Sequence, residues 1–206
     1  MERIEFTPAQ ASAVANLPLR TVHKLIERRL IRPRLRRIGR SLQRMLTREQ
    51  LLFLGLEAKG VRLLPIATRR SIAKKIEKSP EIDVMCLAED SALVIEVKST
   101  RQELEQGLKK LQRAEGMIVS HPDIMRGSPV YRGTRIPVHL VADMLSQGAT
   151  PEEIVEGYPS LDKERVALAP LYVQAFPRRG RPMAKPWAKA KPIRATRHHR
   201  SFPGRH

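Results

Sequence analysis

Ala15-Asn16-Leu17-Pro18-Leu19-Arg20-Thr21-Val22-His23-Lys24-Leu25-Ile26-Glu27-Arg28-Arg29-Leu30-Ile31-Arg32-Pro33, running on into Arg34-Leu35-Arg36-Arg37-Ile38-Gly39-Arg40-Ser41-Leu42-Gln43-Arg44-Met45, is the stretch on which the fold turns. Val22, Leu25, Ile26 and Leu30 recur at helical spacing, so a helix with one buried face is expected from about Leu19 to Arg29. Its other face carries Arg20, Thr21, His23, Lys24, Glu27 and Arg28. Asn16-Leu17-Pro18 breaks the helix before it. After Pro33, partial alternation around Gly39 predicts a basic β-hairpin.

Upstream, Thr7-Pro8-Ala9-Gln10 has the chemistry of a helix start, with Thr as cap, Pro in the first turn and Gln closing a capping box. That helix is short and places Ala11, Val14 and Ala15 on one face. Downstream, Thr47-Arg48-Glu49-Gln50 is a second capping box, opening a helix with Leu51, Leu52, Leu54 and Leu56. A further helix is expected from Pro65 to Lys78, burying Ile66, Ile72, Ala73 and Ile76.

The character of the chain then changes. Ile82–Leu87 and Leu93–Val97 read as a short antiparallel strand pair. Thr100 with Glu103 predicts a capped helix with Leu104, Leu108 and Leu111 on one seam, which could pack in the chain or on a second copy. A third unit opens with extended Ile118-Val119 and Pro129-Val130-Tyr131. A helix from about Val138 to Gln147, stopped by Gly148, comes next. Thr150-Pro151-Glu152-Glu153 caps a short one, and Ser160 a longer one to about Phe176, kinked or interrupted at Pro170. Residues 177–206, rich in Pro, Ala, Lys and Arg without apolar periodicity, read as a disordered basic tail. The expected domains are therefore 1–80, 81–116, 117–176 and 177–206, and the fold class is mainly α (α+β).

Charge is unevenly spread. Residues 1–80 hold 19 Lys/Arg against 6 Asp/Glu, residues 81–176 hold 10 against 15, and residues 177–206 hold 10 and no acid. A basic segment of this kind suits a phosphate backbone, whose neutralisation releases counterions. It would also suit a solvated basic surface. Cys86 is the single cysteine, which excludes an internal disulfide and a multi-cysteine zinc site. In its apolar run it is expected to be a small buried hydrophobe. No stretch has the length of a membrane span and the start lacks a signal-peptide apolar region, so a cytoplasmic protein without membrane contact is expected.

In order and spacing, residues 15–54 resemble the MerR-like winged helix-turn-helix. Ala15 to His23 stands for that family's turn and helix, Leu30-Ile31-Arg32-Pro33 for its helix exit, Gly39-Arg40 for its wing and Leu51-Leu52-Phe53-Leu54 for its leucine-rich third helix. Pro18 stands in place of the usual Ser cap, and Arg29 in place of the Gly that ends the helix. The resemblance implies DNA binding. Arg20, Thr21, His23, Lys24 and Arg28 would face the major groove, and Arg36, Arg37 and Arg40 the phosphates or minor groove. A helical bundle with a solvated basic face is the alternative.

His121-Pro122-Asp123-Ile124-Met125-Arg126-Gly127-Ser128-Pro129 leads into Val130-Tyr131-Arg132-Gly133-Thr134-Arg135-Ile136-Pro137-Val138. This resembles the signature of the domain of unknown function 433 (DUF433) family. Gly148-Ala149-Thr150-Pro151-Glu152-Glu153-Ile154-Val155-Glu156-Gly157-Tyr158-Pro159-Ser160-Leu161 supplies its second segment. Arg126 replaces the first of two glycines, and His121 an Asp. Proteins with this domain are similar to VapB-type antitoxins. The resemblance implies a PIN-like ribonuclease toxin as partner and repression of the protein's own operon, without enzymatic activity. Within the signature the residue chemistry is structural: Gly133 for a tight turn, Arg135 for hydrogen bonds to nearby carbonyls, Pro137 for a helix start.

The tail begins Pro177-Arg178-Arg179-Gly180-Arg181-Pro182. Arg178, Arg179 and Arg181 could neutralise the carboxylates of a nuclease metal pocket, lie in an A·T-rich minor groove in the manner of an AT-hook, or only solubilise. His198, His199 and His206 lack the companions of a metal site, and no metal or cofactor is expected. Two alternatives remain. One is a stand-alone MerR-like regulator. The other is a Mg²⁺-dependent nuclease of PD-(D/E)xK type built on Asp83, Glu96 and Lys98, for which only about 35 residues of core are on hand. The antitoxin reading also anticipates a homodimer, since operators tend to be palindromic.

Overall fold

The computed structural model describes residues 5–39, 41–86 and 94–178. Two short helices open the chain, α1 (Pro8–Val14) and α2 (Leu19–Glu27). The capping box at Thr7 and Gln10 forms as the sequence requires, each residue bonding the other's backbone. Between the helices, Asn16 takes a left-handed backbone (φ 50°). The turn is locked from inside: the buried Ser12 hydroxyl donates to the Leu17 carbonyl at 2.6 Å, and the Leu17 amide returns to the Ser12 carbonyl at 3.0 Å.

Strands β1 (Arg34–Ile38) and β2 (Ser41–Met45) form an antiparallel hairpin in the register Arg34↔Met45 to Ile38↔Ser41. Phe6 and Leu46 exchange both backbone hydrogen bonds, at 2.9 and 2.7 Å, which ties the base of the hairpin to the start of α1. Helix α3 (Arg48–Ala58) is buried nearly all round, in keeping with its Leu-rich sequence, and starts on the capping box of Thr47 and Gln50. A 3₁₀ turn (Val61–Leu63) leads to α4 (Ile66–Lys78), which buries Ile72, Ala73 and Ile76. Ile66 stays exposed.

Strands β3 (Val84–Cys86) and β4 (Val94–Glu96) pair antiparallel, and α5 (Lys98–Gly116) comes after them. The first hydrophobic cluster runs from Phe6 through α1–α4 and takes in Met85, Val97 and Leu104. The 81–116 segment is thus packed into the first core rather than set apart as a connector. Its leucine seam is covered within the chain. Leu104 lies against Gly55, where an added Cβ would come within 2.9 Å of it, and Leu111 joins Ala13 and Ala175. Two local expectations are corrected. Helix α5 starts at Lys98 with no side-chain cap, so Thr100 is a buried helical residue whose Oγ1 has no hydrogen-bond partner among the described residues. Cys86 is exposed because its strand turns that position outward, opposite buried Met85. Leu87 and Leu93, expected at the strand ends, lie outside the described residues.

A second cluster forms from β5 (Ile118–Val119), β6 (Val130–Tyr131), α6 (Val138–Ser146), α7 (Pro151–Gly157) and α8 (Lys163–Ala175). Asp162, rather than Ser160, caps α8, accepting from the Arg165 amide at 2.7 Å. The helix continues through Pro170 instead of being interrupted there. Ala175, Leu171 and Phe176 of the α8 end meet Ala13, Val14 and Leu111, so the second cluster is packed onto α1 and α5. Taken together, the described residues are mixed: eight helices with three two-stranded sheets.

Candidate nucleic-acid interface

Helix α2 has two faces because its apolar residues repeat every three or four positions. Val22 and Leu25 are buried, while Arg20, His23, Lys24, Glu27 and Arg28 are exposed and Thr21 is half-buried. Among the described residues, none of Arg20, Lys24 or Arg28 has an ion-pair partner. Lys24 lies in the last turn of α2, where the helix dipole favours a cation. The helix ends on Arg29, whose φ of 55° is left-handed. This is the position where the winged-helix pattern has Gly, so the backbone keeps the turn and tolerates the side chain.

The hairpin register sorts its arginines by face. Directly paired residues share a face, so Leu35, Arg37, Leu42 and Arg44 lie on one side. Arg34, Arg36, Ile38 and Gln43 lie on the other, with buried Met45. Leu35 and Leu42 are 67% and 69% exposed, which marks the first face as the outer one. Arg36 is held at 3.3 Å by Glu5 and is partly neutralised by it. Arg37 is exposed and has no ion-pair partner among the described residues, which suits a phosphate contact. Arg44, which sequence reading passed over, shares its face; its cross-strand neighbour Leu35 in the alternation was the signal. Arg40 lies outside the described residues.

In the second cluster the signature residues do structural work. Tyr131 is fully buried, its hydroxyl donates to the Arg165 carbonyl at 3.0 Å, and burial pushes the phenol far above its ordinary range. The Thr134 hydroxyl donates to the Tyr131 carbonyl at 2.9 Å and accepts from the Ile136 amide at 3.1 Å, closing the turn at Gly133 (φ 78°). Pro137 precedes α6 as its cap, and Val130 bridges to it. Arg135 differs from expectation: it is exposed and bonds no carbonyl among the described residues. Buried His139 has its imidazolium disfavoured first by desolvation and then by the Arg178 charge, with Asp143 opposing.

Of the other residues singled out by sequence, the β3–β4 pair sets Asp83 beside Lys98, whose amide donates to the Asp83 carbonyl at 3.2 Å. Arg178 is exposed just beyond α8, and Arg179 and Arg181 lie outside the described residues. Asp83 gives its carboxylate to Arg101 at 2.8 Å, so the nuclease alternative would have a cation competing for its first metal ligand. His198, His199 and His206 lie outside the described residues.

Residues 118–173 match the family model described as Protein of unknown function (DUF433), and this part of the chain is a DUF433 domain. An uncharacterized protein, y4eO of Sinorhizobium fredii (strain NBRC 101917 / NGR234), is 40% identical over 89 residues. The match covers 43% of this chain and 40% of that protein, so the chain spans about two fifths of the relative's length. Two solved structures are similar in part. A DUF433 member protein from Anabaena variabilis is 34% identical, covering 37% of this chain and 75% of that one with a TM-score of 0.28. Rv2018 from Mycobacterium tuberculosis is 14% identical, covering 82% of this chain and 98% of that one with a TM-score of 0.29.

Proposed function

With a DUF433 domain fused behind a basic head, we propose that this chain is a DNA-binding antitoxin: a winged helix-turn-helix repressor of its own operon that also binds and inhibits a PIN-like ribonuclease toxin. The observation that carries the DNA half is the exposed basic face of α2, set between a turn locked by Ser12 and Leu17 and a hairpin whose outer side carries Arg37 and Arg44. Two short helices, a tight turn, a third helix and a hairpin are the parts that seat one helix in a major groove. Arg20 and Lys24 would address guanine edges, Thr21 and His23 bases or phosphates, and Arg37 the backbone.

The toxin half rests on the DUF433 resemblance and on the basic segment that starts at Arg178, whose guanidinium groups suit an acidic nuclease pocket. The protein acts by binding and needs no cofactor. A homodimer is expected on a palindromic operator, formed through a surface other than the Leu104–Leu111 seam, which the chain itself covers. Co-expression with the neighbouring gene product tests the pairing. Co-purification with a slowed ribonuclease rate supports it, and failure to co-purify removes it. A second reading, a stand-alone regulator, draws on the packing of α8 against α1, which couples the DUF433 domain directly to the DNA-binding head. It predicts DNA affinity with no nuclease partner.

A further inference from the structure

Beyond the C-terminal end of α2 the surface folds into a crevice of about 190 Å³ lined by Arg29, Arg32, Arg70, Lys74, Glu77 and, at its apolar floor, Leu30 and Ala73. Four cations face it against a single carboxylate. Among the described residues none of the four cations has an ion-pair partner, whereas Arg36, Arg69, Arg101 and Arg113 all do. Like charges gathered around one concavity repel each other, and the arrangement becomes favourable when an anion occupies it.

The fold holds this arrangement from two sides. Arg69, one residue before Arg70, makes a two-toothed bond to buried Glu57, at 2.8 and 2.7 Å, which fixes the rotation of α4 about its axis. Arg70, Lys74 and Glu77 then fall on one stripe, at the four- and three-residue steps of a helix. From the other side, Arg29 reaches the crevice from a left-handed backbone, a conformation that is strained for an L-residue and that Gly would adopt freely. A cation is kept where the backbone favours Gly.

We infer that this crevice seats a phosphodiester of the DNA backbone just outside the groove addressed by α2, a contact made by Arg29, Arg32, Arg70 and Lys74. The inference rests on the DNA-binding reading above and extends its footprint onto α4. Arginine forks match phosphate oxygens in pairs, and no aromatic side chain lines the crevice for a base to stack on. Contacts of this kind set register and affinity without reading sequence.

The test is a salt titration of duplex binding by the full chain, comparing it with the Arg70→Ala/Lys74→Ala double variant on specific and scrambled duplexes. Losing one phosphate contact lowers the slope of log affinity against log salt by about 0.9, which is about eightfold in affinity at 0.1 M salt relative to 1 M. The loss is equal on both duplexes. Arg29→Gly is the second variant: it raises the melting temperature while weakening binding, a combination that a purely structural arginine does not give. An unchanged slope in the double variant, with wild type still binding, overturns the inference and leaves the DNA reading standing. A loss confined to the specific duplex also overturns it, because the residues would then be reading bases. Absence of binding by wild type itself overturns both.

Discussion

Arg69 of α4 donates from Nε and Nη2 to the two oxygens of the Glu57 carboxylate of α3, at 2.8 and 2.7 Å, with Glu57 only 1% exposed. A pair this deep is costly to desolvate, and the fold depends on it most sharply when one partner is removed. Glu57→Ala leaves a buried guanidinium uncompensated and should lower the unfolding free energy by about 3–5 kcal/mol. Glu57→Leu with Arg69→Met should be near neutral. Chemical denaturation of the set checks both, and a mild effect in the single variant would show that the pair is solvated.

Arg126 sits at φ 57°, next to Met125 at 47°, in the place where the DUF433 signature has glycine. Arg126→Gly should therefore raise stability by up to about 1 kcal/mol, the relief of left-handed strain less the larger entropy of an unfolded Gly. Thermal melts read this directly. A fall in melting temperature would mean that the Arg126 side chain contributes more than its backbone costs.

Gly55 permits α3 and α5 to touch. A Cβ there would come within 2.7 Å of Thr100 Cγ2 and 2.9 Å of Leu104 Cδ1. Gly55→Ala gains helix propensity yet should destabilise the first core by about 1–3 kcal/mol through overpacking. A Thr100→Ser second change, which removes the nearer methyl, should recover part of the loss.

His139 is disfavoured as a cation in the folded state, so its pKa lies below the ordinary 6.5. The unfolded chain binds the proton more readily, and the stability this group contributes is present above pH 6.5 and lost as pH falls from there through the folded value. Denaturation from about pH 7.5 to about pH 5 should show a decline that His139→Gln reduces. An identical decline in that variant would assign it elsewhere.

Much of the architecture is legible in local chemistry. Thr7, Thr47 and Thr150 each have a partner three residues on and each forms its capping box. Val22 and Leu25 define the buried face of α2, and Gly133 and Gly148 take the left-handed turns their spacing implies. Contacts between distant segments were not legible. Nothing near Leu104 or Leu111 announces Gly55, Ala13 or Ala175 as their cover, since small residues are silent about what packs on them. Asp162, not Ser160, caps α8, beside Leu161, which is buried in the second cluster. At the interface, the outward set of α2 follows from sequence periodicity. The pairing of Arg36 with Glu5 depends on Phe6 meeting Leu46 across about forty residues, and the crevice on α4 depends on Glu57.

We propose that α2 grips a duplex, and the affinity of the full chain for a fragment of its own upstream promoter across a range of salt tests this first. Wild type should bind, with affinity falling steeply as salt rises, and Arg20→Ala/Lys24→Ala should bind more weakly, with a flatter slope and reduced preference over scrambled DNA. Equal affinity and slope in the double variant, or no binding by wild type at low salt, would show that α2 does not hold DNA.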